Sequence, residues 1–135
     1  MQIDISLSDR IEMDEVLAIY RANEWSAAEK PSQLLAGLRN SHALVTARAS
    51  GELVGVGNAI SDGHLVVYYS HMLVHPSFQG QGVGRKLMAA LLQKYAGFHQ
   101  QVLTADGGAI AFYRALGFER AGKTEPMWIY AGKDH

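Results

Sequence analysis

From Val74 to Lys86 the chain reads Val-His-Pro-Ser-Phe-Gln-Gly-Gln-Gly-Val-Gly-Arg-Lys, an apolar strand that breaks into a glycine turn and opens directly into a helix. Few stretches constrain a fold more. The alternate glycines Gly80, Gly82 and Gly84 let the backbone approach a ligand and turn successive amides the same way, and the helix start adds partial positive charge. Arg85 and Lys86 sharpen the reading, because cations at a helix N-terminus oppose its dipole unless an anion sits there too. The stretch therefore predicts a site for a phosphate-bearing partner, set against the plainer reading of a tight strand-to-helix connection.

Two familiar phosphate motifs fail. No Gly-Lys-Ser/Thr follows the glycines, and the position where a dinucleotide fingerprint needs its last glycine is Leu87. What remains is Gln79-x-x-Gly82-x-Gly84 after a strand ending in Val74-His75-Pro76. These residues resemble the signature turn of the GNAT superfamily of acyl-CoA-dependent N-acetyltransferases. A second segment, Asp106-Gly107-Gly108-Ala109-Ile110-Ala111-Phe112-Tyr113-Arg114-Ala115-Leu116-Gly117-Phe118, resembles that family's late helix and the chain after it, with Asp106 where the family usually has Asn. The resemblance covers roughly residues 40 to 131. Within the superfamily, Ser61-Asp62, residues 76–82 and residues 112–118 are similar to the plastid serotonin N-acetyltransferase group and its bacterial relatives.

Length and composition set the frame. At 135 residues and 48% hydrophobic, the chain suits one domain, 1–135, with a real core. A net charge of -1 argues against a broad nucleic-acid or membrane footprint, so any anion site is local. The chain has no cysteine, which removes disulfides, thiolate zinc sites and a covalent acetyl-cysteine route. No pair of the six histidines has tight ligand spacing with an acidic or thiol companion, so no metal is expected. The opening Met1-Gln2-Ile3-Asp4-Ile5 lacks the form of a secretory leader, no apolar run is long enough to span a membrane, and a cytoplasmic protein is expected.

Periodicity places the elements. Residues 2–7 alternate as a strand, Ser8 or Asp9 is a candidate cap, and Met13, Val16, Leu17 and Tyr20 recur at helical spacing. Pro31 opens a second helix through about Leu38, and residues 43–49 and 52–60 read as strands joined at Ser50-Gly51. After a turn at Ser61-Asp62-Gly63, residues 64–74 read as one long strand. Helix 82–95, strand 101–104, helix 109–116 and strand-like residues near Phe118 and at Met127-Trp128-Ile129-Tyr130 complete the order. The fold class is mixed α/β: a central, mostly antiparallel sheet with about four helices, and a local parallel pair across the glycine loop. The splaying of that pair is implied by the family resemblance.

The resemblance also implies roles. Acetyl-CoA is the implied cosubstrate, with its pyrophosphate on the amides of Gln79, Gly80, Gln81, Gly82, Val83 and Gly84. Arg85 either reaches a phosphate or is a solvated surface cation. Backbone groups of Leu73 and Val74 would face the pantetheine arm and thioester, and Asp106 occupies a cofactor-contact position. Tyr113 stands where the family places a tyrosine that reaches the CoA sulfur, its plainer alternative being a core aromatic. The family's Glu or His on the strand before the loop is replaced by Tyr68 and Ser70, leaving His71 or a water chain to take the amine proton, with a packed histidine as the alternative. Trp25 is open between a hydrophobic anchor and an acceptor contact, whereas Trp128 reads as packing. The expected partner is a small-molecule or peptide amine, with a small aromatic amine as the narrower expectation, and a homodimer is expected because many relatives form one. A non-catalytic acyl-CoA-binding regulatory module is the alternative function.

Overall fold

The computed structural model describes residues 2–133. Six strands, β1 (Asp4–Leu7), β2 (Ala43–Ala49), β3 (Glu52–Ser61), β4 (Val66–Tyr68), β5 (Met72–Val74) and β6 (Gln100–Val102), form one sheet in the order β1-β2-β3-β4-β6, with β5 also paired to β3. Helices α1 (Met13–Ala22), α2 (Pro31–Arg39), α3 (Val83–Lys94) and α4 (Ile110–Ala115) cover its faces. All pairings are antiparallel except β4 with β6.

Alternation explains the layering. Along β2, Ala43, Val45, Ala47 and Ala49 face a core shared with Leu87, Met88 and Leu91 of α3, whereas Leu44 joins Val16, Leu17 and Tyr20 of α1 and Leu34 and Leu38 of α2. A sheet covered on both faces has few polar positions to spare. Asn58, in the middle of β3 and 5% exposed, is one of two buried polar side chains among the described residues.

The helix before Trp25 starts differently from expectation. Glu12 is the N-cap of α1 and its backbone N–H donates to the Glu15 carboxylate, while Ser8 Oγ accepts only from Arg10 N–H. The long strand expected over 64–74 is also broken. β4 ends at Tyr68 and β5 begins at Met72, and both pair with β3 across the interruption. Asp62 shapes the approach by accepting from the N–H groups of His64, Leu65 and Val66, and these bonds hold its carboxyl at about 2.

Neither expected late strand forms. Gly117, at φ 100°, ends α4, with Gly117 N–H donating to Arg114 C=O and Phe118 N–H to Tyr113 C=O. That is a Schellman cap, closed by the apolar contact between Phe118 and Tyr113, whose rings lie 5.8 Å apart. Phe118 therefore belongs to the helix end. Further on, Met127, Trp128 and Ile129 are exposed, and Trp128 stacks on Tyr130 at 4.2 Å instead of packing in the core. The segment is tied to the α1–α2 connection, through Tyr130 Oη and Ser26 Oγ and through Lys133 to Glu29, in place of a strand partner.

Candidate active site

Hydrogen-bond bookkeeping locates the site at the interruption between β4 and β5. Val66, Val67 and Tyr68 pair in parallel with Gln100, Gln101 and Val102, and the last link is Tyr69 N–H to Val102 C=O at 3.0 Å. Tyr69 Oη adds a side-chain tie to Gln101 Oε1 at 2.6 Å. Beyond that point β5 pairs with β3 alone among the described residues. The sheet is parted between β5 and β6, as expected of the parallel pair.

Asn58 makes the break. Its Oδ1 accepts from His71 N–H and from Ser70 Oγ, each at 2.8 Å, and its Nδ2 donates to Ser41 Oγ at 2.9 Å. Asn58 N–H still donates to His71 C=O at 3.0 Å. A side chain thus stands in for a ladder carbonyl, so the bulged backbone keeps its partners in a place where an unmatched donor is costly.

Register then decides which backbone groups of β5 are free. Asn58 with His71 and Val54 with His75 are hydrogen-bonded pairs, and Val56 faces Leu73 midway between them. In an antiparallel ladder such pairs alternate with pairs whose N–H and C=O point away. Leu73 therefore spends its backbone on β3 and buries its side chain with α1 and α2, so it is withdrawn as a cofactor contact. Met72 and Val74 present the outward groups. Val74 C=O is taken by Asn23 Nδ2 and Gln79 Nε2, at 3.1 and 2.9 Å. Gln79 Nε2 also meets Asn23 Oδ1. The Gln79 side chain thus fastens the glycine loop to the end of β5 and to α1.

Within the loop the glycines divide their work. Gly80 and Gly82 have φ of 78° and 84°, a region side chains resist, and a Cβ on either would meet open space. Gly84 is a contact glycine, whose added Cβ would lie 3.4 Å from the Phe112 ring. The amides of Gly80, Gln81 and Gly82 donate to no protein acceptor among the described residues, and those of Val83, Gly84 and Arg85 fall in the first turn of α3, where a helix leaves donors unmatched. This row of donors can take a diphosphate. Arg85 and Lys86 are exposed beside it, while the Val83 side chain is core. His75 is occupied locally, its Nδ1 accepting from Ser77 N–H.

Tyr113 lies on α4 beside Phe112, ring centroids 4.9 Å apart, and so next to the helix start that Phe112 contacts through Gly84. Its ring is half-buried and burial raises its pKa, so the hydroxyl keeps its proton at neutral pH. Asp106 caps the turn before α4 by accepting from Gly107 N–H at 2.8 Å.

His71 occupies the break itself. Its Nδ1 meets Tyr20 Oη at 2.7 Å, and the Trp25 ring stands edge-on to it with centroids 5.2 Å apart. Burial lowers its pKa, so the ring is neutral at pH 7. On the helix side a cavity of about 290 Å³ reaches Asn58, Ser70 and His71. Its other walls include Ala27, Leu34, Leu38 and Ile60, and among the described residues Lys30 is the one charged group and no carboxylate lines it. Trp25 packs edge-on against both His71 and Tyr20 and is not among the residues that line this cavity. Asn58, Tyr20, Asn23 and Met72 were not singled out as site residues in the sequence. An amide in the apolar run Leu53-Val54-Gly55-Val56-Gly57-Asn58-Ala59 is the one sequence signal from which Asn58 could be found.

The parted sheet, the glycine loop with its row of backbone donors and the cavity at the strand break lie on a mixed α/β frame. The chain belongs to the acetyltransferase (GNAT) family, which residues 11–118 match. It is 32% identical over 135 residues to the N-alpha-acetyltransferase RimI of Mycobacterium tuberculosis, a match covering 87% of this chain and 85% of that one. It is 35% identical over 118 residues to an uncharacterized protein of Mycobacterium leprae, of which it spans only 32%. Among solved structures, a GNAT-family acetyltransferase of Streptococcus pneumoniae superposes with a TM-score of 0.83 at 27% identity, over 96% of this chain and 99% of that one. An aminoglycoside N-acetyltransferase, AAC(6')-Iy, solved in complex with CoA, shares the fold at a TM-score of 0.70 and 20% identity, over 96% and 93% of the two chains.

Proposed function

We propose that this chain is an acetyl-CoA-dependent N-acetyltransferase in which a primary amine attacks the thioester directly. The observation that carries the reading is the break at Ser70-His71, because it borders both the parted strand edge above the glycine loop and the cavity on the opposite side. Acetyl donor and amine acceptor can meet only where two such openings converge. The residues fit a CoA-type group: donors from Gly80 to Arg85 for the pyrophosphate, and the outward backbone of Met72 with the N–H of Val74 for the pantetheine arm and the thioester oxygen. Asp106 holds the turn before α4, whose Tyr113 hydroxyl serves the departing sulfur.

Binding is half of the chemistry. A free alkylamine, with pKa near 10.4, is neutral about once in a thousand molecules at pH 7, and a cavity walled by Ala27, Leu34, Leu38 and Ile60 favours the uncharged form. A backbone N–H aimed at the oxygen that gains charge contributes about 3 kcal/mol in other oxyanion holes. The outward N–H of Met72 is the donor we assign to that role. A tyrosine hydroxyl, pKa near 10, is a weaker acid than a thiol near 8.5, so Tyr113 assists thiolate departure by hydrogen bonding more than by full transfer.

The cavity walls support one class of acceptor. Lys30 repels a second ammonium, no carboxylate among the described residues lines the space, and apolar side chains supply much of the wall beside Gln33, Asn58, Ser70 and His71, so a small aromatic amine fits better than a polyamine or a basic peptide. The sequence resemblance to the serotonin N-acetyltransferase group supports the same acceptor class. The test measures catalytic efficiency, by release of the CoA thiol, for tryptamine, serotonin and phenethylamine against spermidine and lysine peptides, in wild type and Trp25→Ala. Preference for the aromatic amines is expected. Preference for spermidine or peptides would overturn the acceptor class, and no release with any amine would leave an acyl-CoA-binding module.

A further inference from the structure

The Tyr20 side chain is fully buried, and its hydroxyl has one hydrogen-bond partner among the described residues, Nδ1 of His71. Two placements of hydrogen satisfy that 2.7 Å contact. Either the tyrosine donates to Nδ1 and the neutral imidazole carries its hydrogen on Nε2, or Nδ1–H donates to Oη and the tyrosine hydrogen is left in the core without an acceptor. Folded proteins avoid the second arrangement. Burial also raises the Tyr20 pKa, so a tyrosinate acceptor does not rescue it.

We propose that Tyr20 is a positioning residue that holds His71 in its Nε2–H form, so that His71 meets the reacting groups as a hydrogen-bond donor and does not take the amine proton. The inference deepens the acetyl-transfer reading and rests on it for the word "reacting". Nδ1 faces Tyr20, so Nε2 is the ring nitrogen left for the site, and in this tautomer it has no lone pair to accept with. The Trp25 ring stands edge-on to the imidazole, and the Asn58 bond to the His71 backbone N–H fixes the main chain from which the ring projects.

The step then balances without a protein base. The amine lone pair forms the C–N bond to the thioester carbon, and the carbonyl pair moves onto oxygen, where Nε2–H of His71 and Met72 N–H donate to it. The nitrogen releases its proton to water, the carbonyl re-forms, and the C–S bond breaks to give the CoA thiolate, which takes a proton from water or shares that of Tyr113. Sequence reasoning offered His71 as a proton acceptor; the contact with Tyr20 reverses its polarity.

The test has two arms. Long-range ¹⁵N–¹H correlation of the folded protein at pH 7.5, with the His71 ring assigned by its disappearance in His71→Gln, should show hydrogen on Nε2 and a bare Nδ1. Tyr20→Phe should redistribute the two tautomers. Hydrogen on Nδ1 in the wild type, or an unchanged ring in a folded Tyr20→Phe, overturns the assignment. Turnover supplies the second arm. His71→Ala should lower kcat by about 10²-fold, as loss of one such donor does elsewhere. His71→Gln, which donates through its amide and cannot act as a base, should recover most of that loss. Equal loss in both variants, or loss in neither, overturns the donor role. If the wild type acetylates no amine, the acetyl-transfer reading and the catalytic half of the inference fail together, while the ring spectrum still decides what Tyr20 does.

Discussion

Replacing Asn58 by alanine removes three hydrogen bonds at once, from His71 N–H, from Ser70 Oγ and to Ser41 Oγ. The His71 amide has no other partner among the described residues, and stranding a buried donor costs about 1–3 kcal/mol, with about 0.5–1.5 for each of the other two bonds. The sum is about 2–6 kcal/mol, and the lower half of that range applies because Ser41 and Ser70 are half-exposed and can turn to water. With a urea m-value of about 1.5 kcal/mol per M, the unfolding midpoint should fall by at least about 1 M. Activity should fall as well, because the bulge aims His71 and Met72, and a displacement near 1 Å costs about 10²-fold in kcat. Asn58→Asp separates the two effects: it keeps the acceptor for His71 and Ser70 and buries a charge, so it should lose stability yet turn over faster than the alanine variant. An alanine variant within about 0.5 kcal/mol of wild type and equally active would refute the claim that Asn58 builds the break.

Gly82→Ala places a Cβ in open space at φ 84°, so its fold should survive at a strain of about 1–2 kcal/mol while acetyl-CoA affinity, measured by calorimetry, drops. Unchanged affinity would remove the loop amides from the phosphate. Gly84→Val should instead perturb the fold through Phe112, visible as a lowered unfolding midpoint before any change in binding. Tyr113→Phe keeps the ring contacts with Phe112 and Phe118 and removes the hydroxyl; turnover should fall about 10²-fold at unchanged cofactor affinity, and equal turnover would assign the ring to packing alone. His71 has a folded pKa below its unfolded value of about 6.5. The unfolded chain therefore binds the extra proton first, and this contribution to stability is complete above pH 6.5 and is lost as pH falls toward the folded value. The urea midpoint should decline between pH 7 and 5, less steeply in His71→Gln.

The sequence carried the frame well because its signals are local. Apolar alternation placed β2 and β3 and helical spacing placed α3 within a residue or two, while α1 was recognised but its start was read three to four residues early. The glycine loop was legible for the same reason, since φ-positive turns leave glycines in the sequence. What failed was non-local. A continuous strand over 64–74 is the natural reading of its composition, and only the side chain of Asn58, reaching across from β3, interrupts it. Leu73 could not be told from Met72 as the outward residue until the register with Val56 was known. The Tyr20–His71 contact joins residues 51 apart, and Trp128 and Phe118 have strand-like composition without a partner strand to pair with.

Initial rates with acetyl-CoA and tryptamine both varied test the central claim most directly, that the acetyl group passes from thioester to amine in one step at the broken strand. The account predicts thiol release only when both substrates are present, reciprocal plots that intersect, and no acetylated protein by mass when acetyl-CoA is added alone. Parallel lines with an acetyl-protein intermediate, or no thiol release with any amine in the panel, would contradict it.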